Sequence, residues 1–185
     1  MLAERPSPVA SRFKFSFEMF EALSEAGHFG DKQVELLNGE ILVKGLQSDE
    51  HSYAIQNLSD VFHAELGQLC TIRPQLPIVL ESPPPDFVLP DLALLTLPKA
   101  QYKTRTATSK DALLVVEISN STLDYDQTDK LKAYAQNLIC EYWIYHVYTQ
   151  QLEVCTKPTG QTYGLRRFLE VGQPVEILGS KINWW

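Results

Sequence analysis

The sequence predicts an α/β domain, a mixed central sheet flanked by helices, and three observations carry that prediction. Asn38-Gly39 lies between two apolar-rich runs in VELLNGEILVKG, the strongest short-range signal for a β-hairpin. ALLVVEI at 112–118 opens with five consecutive apolar residues, as a central strand covered on both faces does. Ala54, Ile55, Leu58, Val61, Phe62, Leu66 and Leu69 recur at helical spacing, so a long amphipathic helix has one face to bury.

Taken in order, residues 1–14 hold two prolines and no apolar periodicity, and read as a flexible tail before a single domain over 15–185. Phe17, Phe20 and Leu23, with Ser16 as N-cap and Gly27 as stop, predict a short first helix. The hairpin follows, and the long helix opens near Asp49 and ends before Thr71. The segment Thr71 to Leu80 reads as one strand, ended by Pro83, Pro84 and Pro85. DLALLTL at 91–97 and ALLVVEI are the next two strands. Leu131, Tyr134, Ala135 and Leu138 occupy i, i+3, i+4 and i+7, which predicts a helix from about Asp124 to Gln136 packed on the sheet. EYWIYHVY and QLEVCT read as strands around Tyr148 to Gln150, followed by strands near 163–169 and 174–178. Ile182-Asn183-Trp184-Trp185 is unusually apolar and packs on its own domain or on a partner.

Composition narrows the function. A chain of 185 residues, 44% hydrophobic, buries on the order of 70% of its unfolded surface and needs no staple. Cys70, Cys140 and Cys155 are an odd count at spacings that fit neither a disulfide ladder nor a zinc site, so reduced thiols and a cytoplasmic protein are expected. No apolar run approaches the ~20 residues that span a bilayer, and the first residues lack the apolar stretch of a signal peptide, so no membrane partner is expected. The net charge of -7 has the wrong sign for coating nucleic acid non-specifically. A local patch remains: Lys99, Lys103, Arg105 and Lys110 fall close together with only Asp111 nearby, either as a solvated loop or as a phosphate-binding surface. Dinucleotide-binding GxGxxG, Walker, GxSxG and CxxC motifs are all absent, which removes the enzyme classes they serve. His51 and His63 share the long helix but point about 120° apart, too far to share a metal.

Two carboxylates resist a local explanation. Asp91 follows Pro90 at the start of an apolar strand, and Glu117 interrupts the most hydrophobic strand of the chain. A lone buried carboxylate costs several kcal/mol unless paired, protonated or bound to a cation. Each is therefore either a half-solvated strand end capped by backbone donors or, if the two strands are neighbours, half of a site for a hard divalent cation, Mg2+ or Mn2+, acting on a phosphate. Such chemistry also wants a cation to steady developing charge or position the attacking water. Lys130 fits that role, or else forms an i, i+4 surface ion pair with Asp126, worth a few tenths of a kcal/mol.

Pro90-Asp91, 25 intervening residues, then Glu117-Ile118-Ser119, set in the order helix, strands, helix, strand, resembles the PD-(D/E)XK nuclease superfamily. The chain is more closely similar to its restriction-endonuclease branch, the Uma-two family, whose motifs are ELxxGEI, PDL, VEIxSxST, DxxxK, YA and EYW. Here they read Glu35-Leu36-Leu37-Asn38-Gly39-Glu40-Ile41, Pro90-Asp91-Leu92, Val116-Glu117-Ile118-Ser119 with Ser121-Thr122, Asp126 with Lys130, Tyr134-Ala135 and Glu141-Tyr142-Trp143, over about residues 16–156. The resemblance implies a restriction-endonuclease-like fold and a homodimeric, metal-dependent endonuclease acting on DNA. It implies Asp91 and Glu117 as metal ligands and Lys130 as the catalytic lysine, moved to the helix from the position now held by Ser119. Gln127 stands where the branch commonly has arginine. His51 matches a histidine that opens the second helix in the family, and is either an accessory residue or a plain helix start. Glu35 matches the hairpin glutamate, and either reaches the metal through water or is an ordinary strand carboxylate. Lys99, Lys103, Arg105 and Lys110 would contact the DNA backbone. The alternative is a nuclease-like fold without activity that binds nucleic acid or protein.

Overall fold

Local signals build the first third of the computed structural model, which describes residues 12–96 and 98–185; residues 1–11 of the expected tail, and Leu97, lie outside the described residues. Helix α1 (Phe17–Glu25) starts where Ser16 Oγ accepts a hydrogen bond from the Met19 amide at 3.3 Å. Strands β1 (Val34–Leu37) and β2 (Glu40–Val43) pair antiparallel through Asn38 at φ 52° and Gly39 at φ 74°. Both turn residues need the left-handed region, which is why Asn-Gly is favoured there. Asp86 clasps the turn from outside, its Oδ1 accepting from the Asn38 amide at 2.9 Å, and Lys14 Nζ donates to Asn38 O at 2.6 Å. Helix α2 (Asp49–Leu66) is capped by Ser48, whose Oγ accepts from the His51 amide at 3.2 Å.

The stretch expected as one strand over 71–80 is two, β3 (Thr71–Pro74) and β4 (Ile78–Leu80), in different sheets. Pro74 and Pro77 remove ladder donors, and Gln75 between them sits at φ 50°, so the chain turns instead of running on. Then come β5 (Asp86–Val88), β6 (Leu92–Leu95), a 3-10 turn at Lys99–Lys103, the short β7 (Ala107–Thr108) and β8 (Ala112–Ser119). The expected helix near 124–136 is broken into α3 (Leu123–Tyr125), a π-helical turn (Asp126–Lys130) and α4 (Leu131–Gln136). Strands β9 (Glu141–His146), β10 (Gln151–Pro158) and β11 (Tyr163–Glu170) follow, and β12 (Val175–Ile177) with β13 (Ser180–Ile182) form a separate hairpin.

The main sheet is six-stranded and mixed, in the order β11-β10-β9-β8-β6-β3, and among the described residues its one parallel pair is β8 with β9. A parallel pair needs a crossover, and α3 through α4 supply it. A second, five-stranded sheet runs β2-β1-β5-β4-β7. Helix α2 covers one face of the main sheet, burying Leu58, Phe62 and Leu66 against Leu94, Leu114 and Val116. Ile182 and Trp184 close that same layer, so the apolar terminal residues pack on their own domain. Helix α4 and the five-stranded sheet share the other face, where Tyr134 and Leu37 meet Val115 and Ile144. Among the described residues no helix is long and apolar enough to cross a membrane.

The Asp86 clasp carries a pH dependence. Burial pushes its carboxyl up to about 6, against the pull of the Asn38 and Gly39 amides and Lys14. The folded chain therefore holds a proton that the unfolded chain has released, so this group weakens the fold as pH rises from about 4 through 6. Asp86→Asn keeps an oxygen for the Asn38 amide and removes the charge. Its thermal midpoint should gain on wild type between about pH 4.5 and 7, and a gap that stays constant would refute the assignment.

Candidate active site

Strand alternation decides which side chains meet between the two sheets. On β1, Val34 and Leu36 turn to a small aromatic cluster with Phe20 and Phe87, so Glu35 turns the other way, toward α4. Leu42 of β2 lies opposite Glu35, and Lys44, two residues on, follows it to the same face. In the main sheet β6 and β8 pair with Leu92 opposite Val116. Extending that register by one residue sets Asp91 opposite Glu117, and the Ile118 amide donates to Asp91 Oδ2 at 2.8 Å. Two like charges facing across a strand pair repel, so the arrangement needs cations.

Two lysines supply them. Lys130 Nζ donates to Glu117 Oε1 at 2.8 Å and to Glu35 Oε1 at 3.2 Å. Lys44 Nζ donates to the Leu89 carbonyl at 2.7 Å and to Asp91 Oδ1 at 3.2 Å. The Tyr134 hydroxyl adds a hydrogen bond to Glu117 Oε1 at 2.7 Å, and Glu35 Oε1 takes the Leu89 amide at 2.7 Å. Glu35, Asp91, Glu117 and Lys130 are each no more than 3% exposed, so these ions interact in a medium far less polar than water.

The π-helical turn explains how Lys130 reaches them. A π turn widens the helix and frees a carbonyl from the usual ladder, and here the Asp126 carbonyl takes the Tyr142 hydroxyl at 3.0 Å. The Asp126 carboxylate is occupied elsewhere, its Oδ2 accepting from Ser119 Oγ at 2.6 Å and Thr122 Oγ1 at 2.7 Å. The i, i+4 pair of Lys130 with Asp126 is therefore not formed, and Lys130 points inward. Gln127 Nε2 anchors the turn's outer side on the fully buried Glu153 at 2.8 Å, with Arg166 paired to the same carboxylate.

Burial pushes the Glu117 carboxyl upward, and Lys130 opposes that shift without cancelling it. Asp91 goes the other way: burial alone would raise it, but His51, Lys44 and the Ile118 amide hold it well below the usual carboxylate range. Lys130 stays charged, because Glu117 and Glu35 outweigh the cost of its burial. The two facing acids are thus driven apart in acidity by their surroundings, a pattern found where carboxylates do chemistry.

These groups line a pocket of about 330 Å3 that also takes in His51, Asn120, Tyr125 and Asp126. Four carboxylates, Glu35, Asp91, Glu117 and Asp126, meet two lysines there, an excess of two negative charges as ions. Burial favours the protonated form of Glu117, and a divalent cation beside it would displace that proton and balance the excess. Among the described residues no three His, Cys, Asp or Glu side chains are grouped to hold a metal unaided. Asp91 and Glu117 suit a magnesium-like ion instead, which takes one or two carboxylates and fills its other positions with water and phosphate oxygens. His51 Nε2 lies 3.3 Å from Asp91 Oδ1, and Asn120 Oδ1 and Tyr125 Oη are buried without a hydrogen-bond partner.

The structure brings Asp91, Glu117, Lys130, Glu35 and His51 together. It does not bring the loop cations to them. Lys99, Lys103, Arg105 and Lys110 lie in the β6–β8 connection, at the far end of that strand pair from Asp91 and Glu117. Arg105 is held by Asp111 in a two-pronged pair at 2.7 and 2.9 Å, and Lys110 by Glu81 at 3.1 Å. Lys44, Tyr134, Tyr125 and Asn120 were not singled out as site residues from the sequence. Lys44 had one signal: a lone cation placed two residues after Leu42, on the Glu35 face of the hairpin.

A family model described as "Uma2: Putative restriction endonuclease" matches residues 17–185. Among solved structures, "a putative nuclease belonging to DUF820" from Anabaena variabilis has a similar fold, with a TM-score of 0.66 at 12% identity over 88% of this chain and 89% of that one. No curated protein matches the chain.

Removing one partner from a buried ion cluster leaves an uncompensated charge, which costs ~3–5 kcal/mol. Lys130→Ala should lose that much in urea denaturation. A loss of only a few tenths would mean a solvated lysine paired on the surface.

Proposed function

The chain belongs to the Uma2 family, and from that premise we propose that it is a metal-dependent endonuclease that hydrolyses phosphodiester bonds of DNA. The observation that supports this most is the facing pair Asp91 and Glu117, in a pocket whose acids outnumber its lysines by the charge of one divalent cation. In this reading Asp91 and Glu117 hold Mg2+ or Mn2+. When bound, the metal would polarise the scissile phosphate and acidify the attacking water.

The chain's own groups do the rest. Glu117 Oε1 is fixed by Lys130 and Tyr134, which leaves Oε2, free of hydrogen bonds among the described residues, as the oxygen that would ligate the metal. Asp91 is fixed by Lys44 and the Ile118 amide, so the ligand pair is held in place before any substrate arrives. Lys130 Nζ keeps its proton and offers a compact positive charge beside the acids, where negative charge develops on the phosphate. The four loop cations lie beyond the ~13 Å length of β6, so any contact they make is with DNA at least about four nucleotides away along a duplex strand. Lys99 and Lys103 are the two that carry no ion pair among the described residues.

Purified protein should nick plasmid DNA with magnesium or manganese and stop with EDTA. Asp91→Asn and Glu117→Gln should each lose cleavage ~100-fold or more while staying folded. Protein inert with both metals, on plasmid and on single strands, would leave the binding-module reading. An unchanged rate in either variant would remove these residues from the site. Cutting both strands is easiest with two sites, so the reading includes a two-fold homodimer. A monomer by light scattering removes the dimer and leaves the chemistry standing.

A further inference from the structure

A second hollow, of about 400 Å3, lies beside the acid pocket and shares a wall with it. The shared wall is the start of α2: Ser48 and His51 face the acids, while Asp49, Glu50 and Tyr53 face the second hollow. The first turn of α2 is thus the partition between the two hollows.

The second hollow is built of rings. Trp185 stacks on Tyr145 with centroids 4.6 Å apart and planes 30° apart, and Tyr53 meets Trp185 edge-on at 6.2 Å. Tyr53 is 66% exposed, so this ring contributes little to the core behind it. Tyr145 is buried behind Trp185, so the accessible rings are Tyr53 and the partly covered Trp185, and rings beside a polar rim suit a flat, polar-edged ligand. The rim is acidic. Asp49 and Glu50, at the start of α2, put two carboxylates on it, and Asp49 is the one tested below as the acceptor.

We propose that this hollow binds one unpaired nucleobase with an exocyclic amino group, on the strand whose phosphate lies between Asp91 and Glu117. The proposal rests on the nuclease reading for that strand, and the chemistry of the hollow selects the rest. Asp49 and Glu50 repel phosphate, so the sugar-phosphate backbone stays on the acid-pocket side and the base turns in. A carboxylate accepts from an amino group, as acidic side chains do from cytosine N4, and repels the carbonyl that uracil or thymine carries in the same place. In a duplex the faces of a base are stacked on its neighbours and out of reach of Tyr53 and Trp185, so the base must be unpaired or turned out of the duplex.

The test uses the wild-type chain in EDTA with ten-nucleotide single strands of deoxycytidine or deoxyuridine, read by quenching of tryptophan fluorescence, beside a plasmid-cleavage assay with metal. The deoxycytidine strand should bind roughly tenfold more tightly. Tyr53→Ala should lose about that factor for deoxycytidine, with its fold confirmed by circular dichroism, and Asp49→Asn should erase the difference between the two strands. Equal binding of the two strands by wild type, or unchanged binding by Tyr53→Ala, overturns the proposal even if the plasmid is cut. Binding that depends on Tyr53 and Asp49 without any cleavage supports the base site and overturns the nuclease reading instead.

Discussion

One buried ammonium sets the terms for the rest of this structure. Lys130 sits between Glu35 and Glu117, which are 95 and 13 residues away along the chain, and all three are shielded from water. Stripping water from three ions costs several kcal/mol apiece, and only close, well-aligned partners offset it. The hairpin must therefore deliver Glu35 to the same point at which β8 delivers Glu117. The helix must deliver Lys130 from above, and the π-helical turn is what lets it do so. A fold held by apolar contact alone could slide these elements by a fraction of a residue; this one cannot without exposing an unpaired charge.

The same constraint explains the protein's surface electrostatics. Lys44 and Lys130 are spent on internal acids, and Arg105 and Lys110 on Asp111 and Glu81. With a net charge of -7, the chain as a whole repels a polyanion. Affinity for nucleic acid would then have to come from a bound cation and from contacts to bases, with a shallow dependence on monovalent salt.

Local order was legible in the residues. The Asn38-Gly39 hairpin, the Ser16 and Ser48 caps, the stripe of α2 and the apolar β8 all follow from patterns a few residues long. Asp91 and Glu117 were legible as anomalies, two acids at the ends of apolar strands, but their facing each other depends on strand order, which no local pattern encodes. The division into two sheets was hidden for the same reason, although Pro74 and Pro77 marked the break between β3 and β4. The π-helical turn was masked because the helical spacing of Leu131, Tyr134 and Ala135 describes only the turns that follow it. The loop cations looked like a patch in the sequence; antiparallel pairing of β6 and β8 carried them to the opposite end of the sheet. The family motifs identified here span about 16–156, whereas the family model runs on to residue 185, taking in the closing hairpin and Trp184.

The seam between the sheets also bears on how the molecule opens. Glu35 and Lys44 come from the β1–β2 hairpin, while Glu117 belongs to the main sheet and Asp91 enters it. If the hairpin swung away by itself, Lys130 would lose one carboxylate and Asp91 its ammonium, and the Leu89 segment would lose bonds to both Glu35 and Lys44. A small peripheral sheet ordinarily breathes on its own, well below the energy of global unfolding. Here the charges make it part of the same cooperative unit as the central strands. Amide hydrogens of β1 should therefore exchange with solvent on the slow timescale of β8.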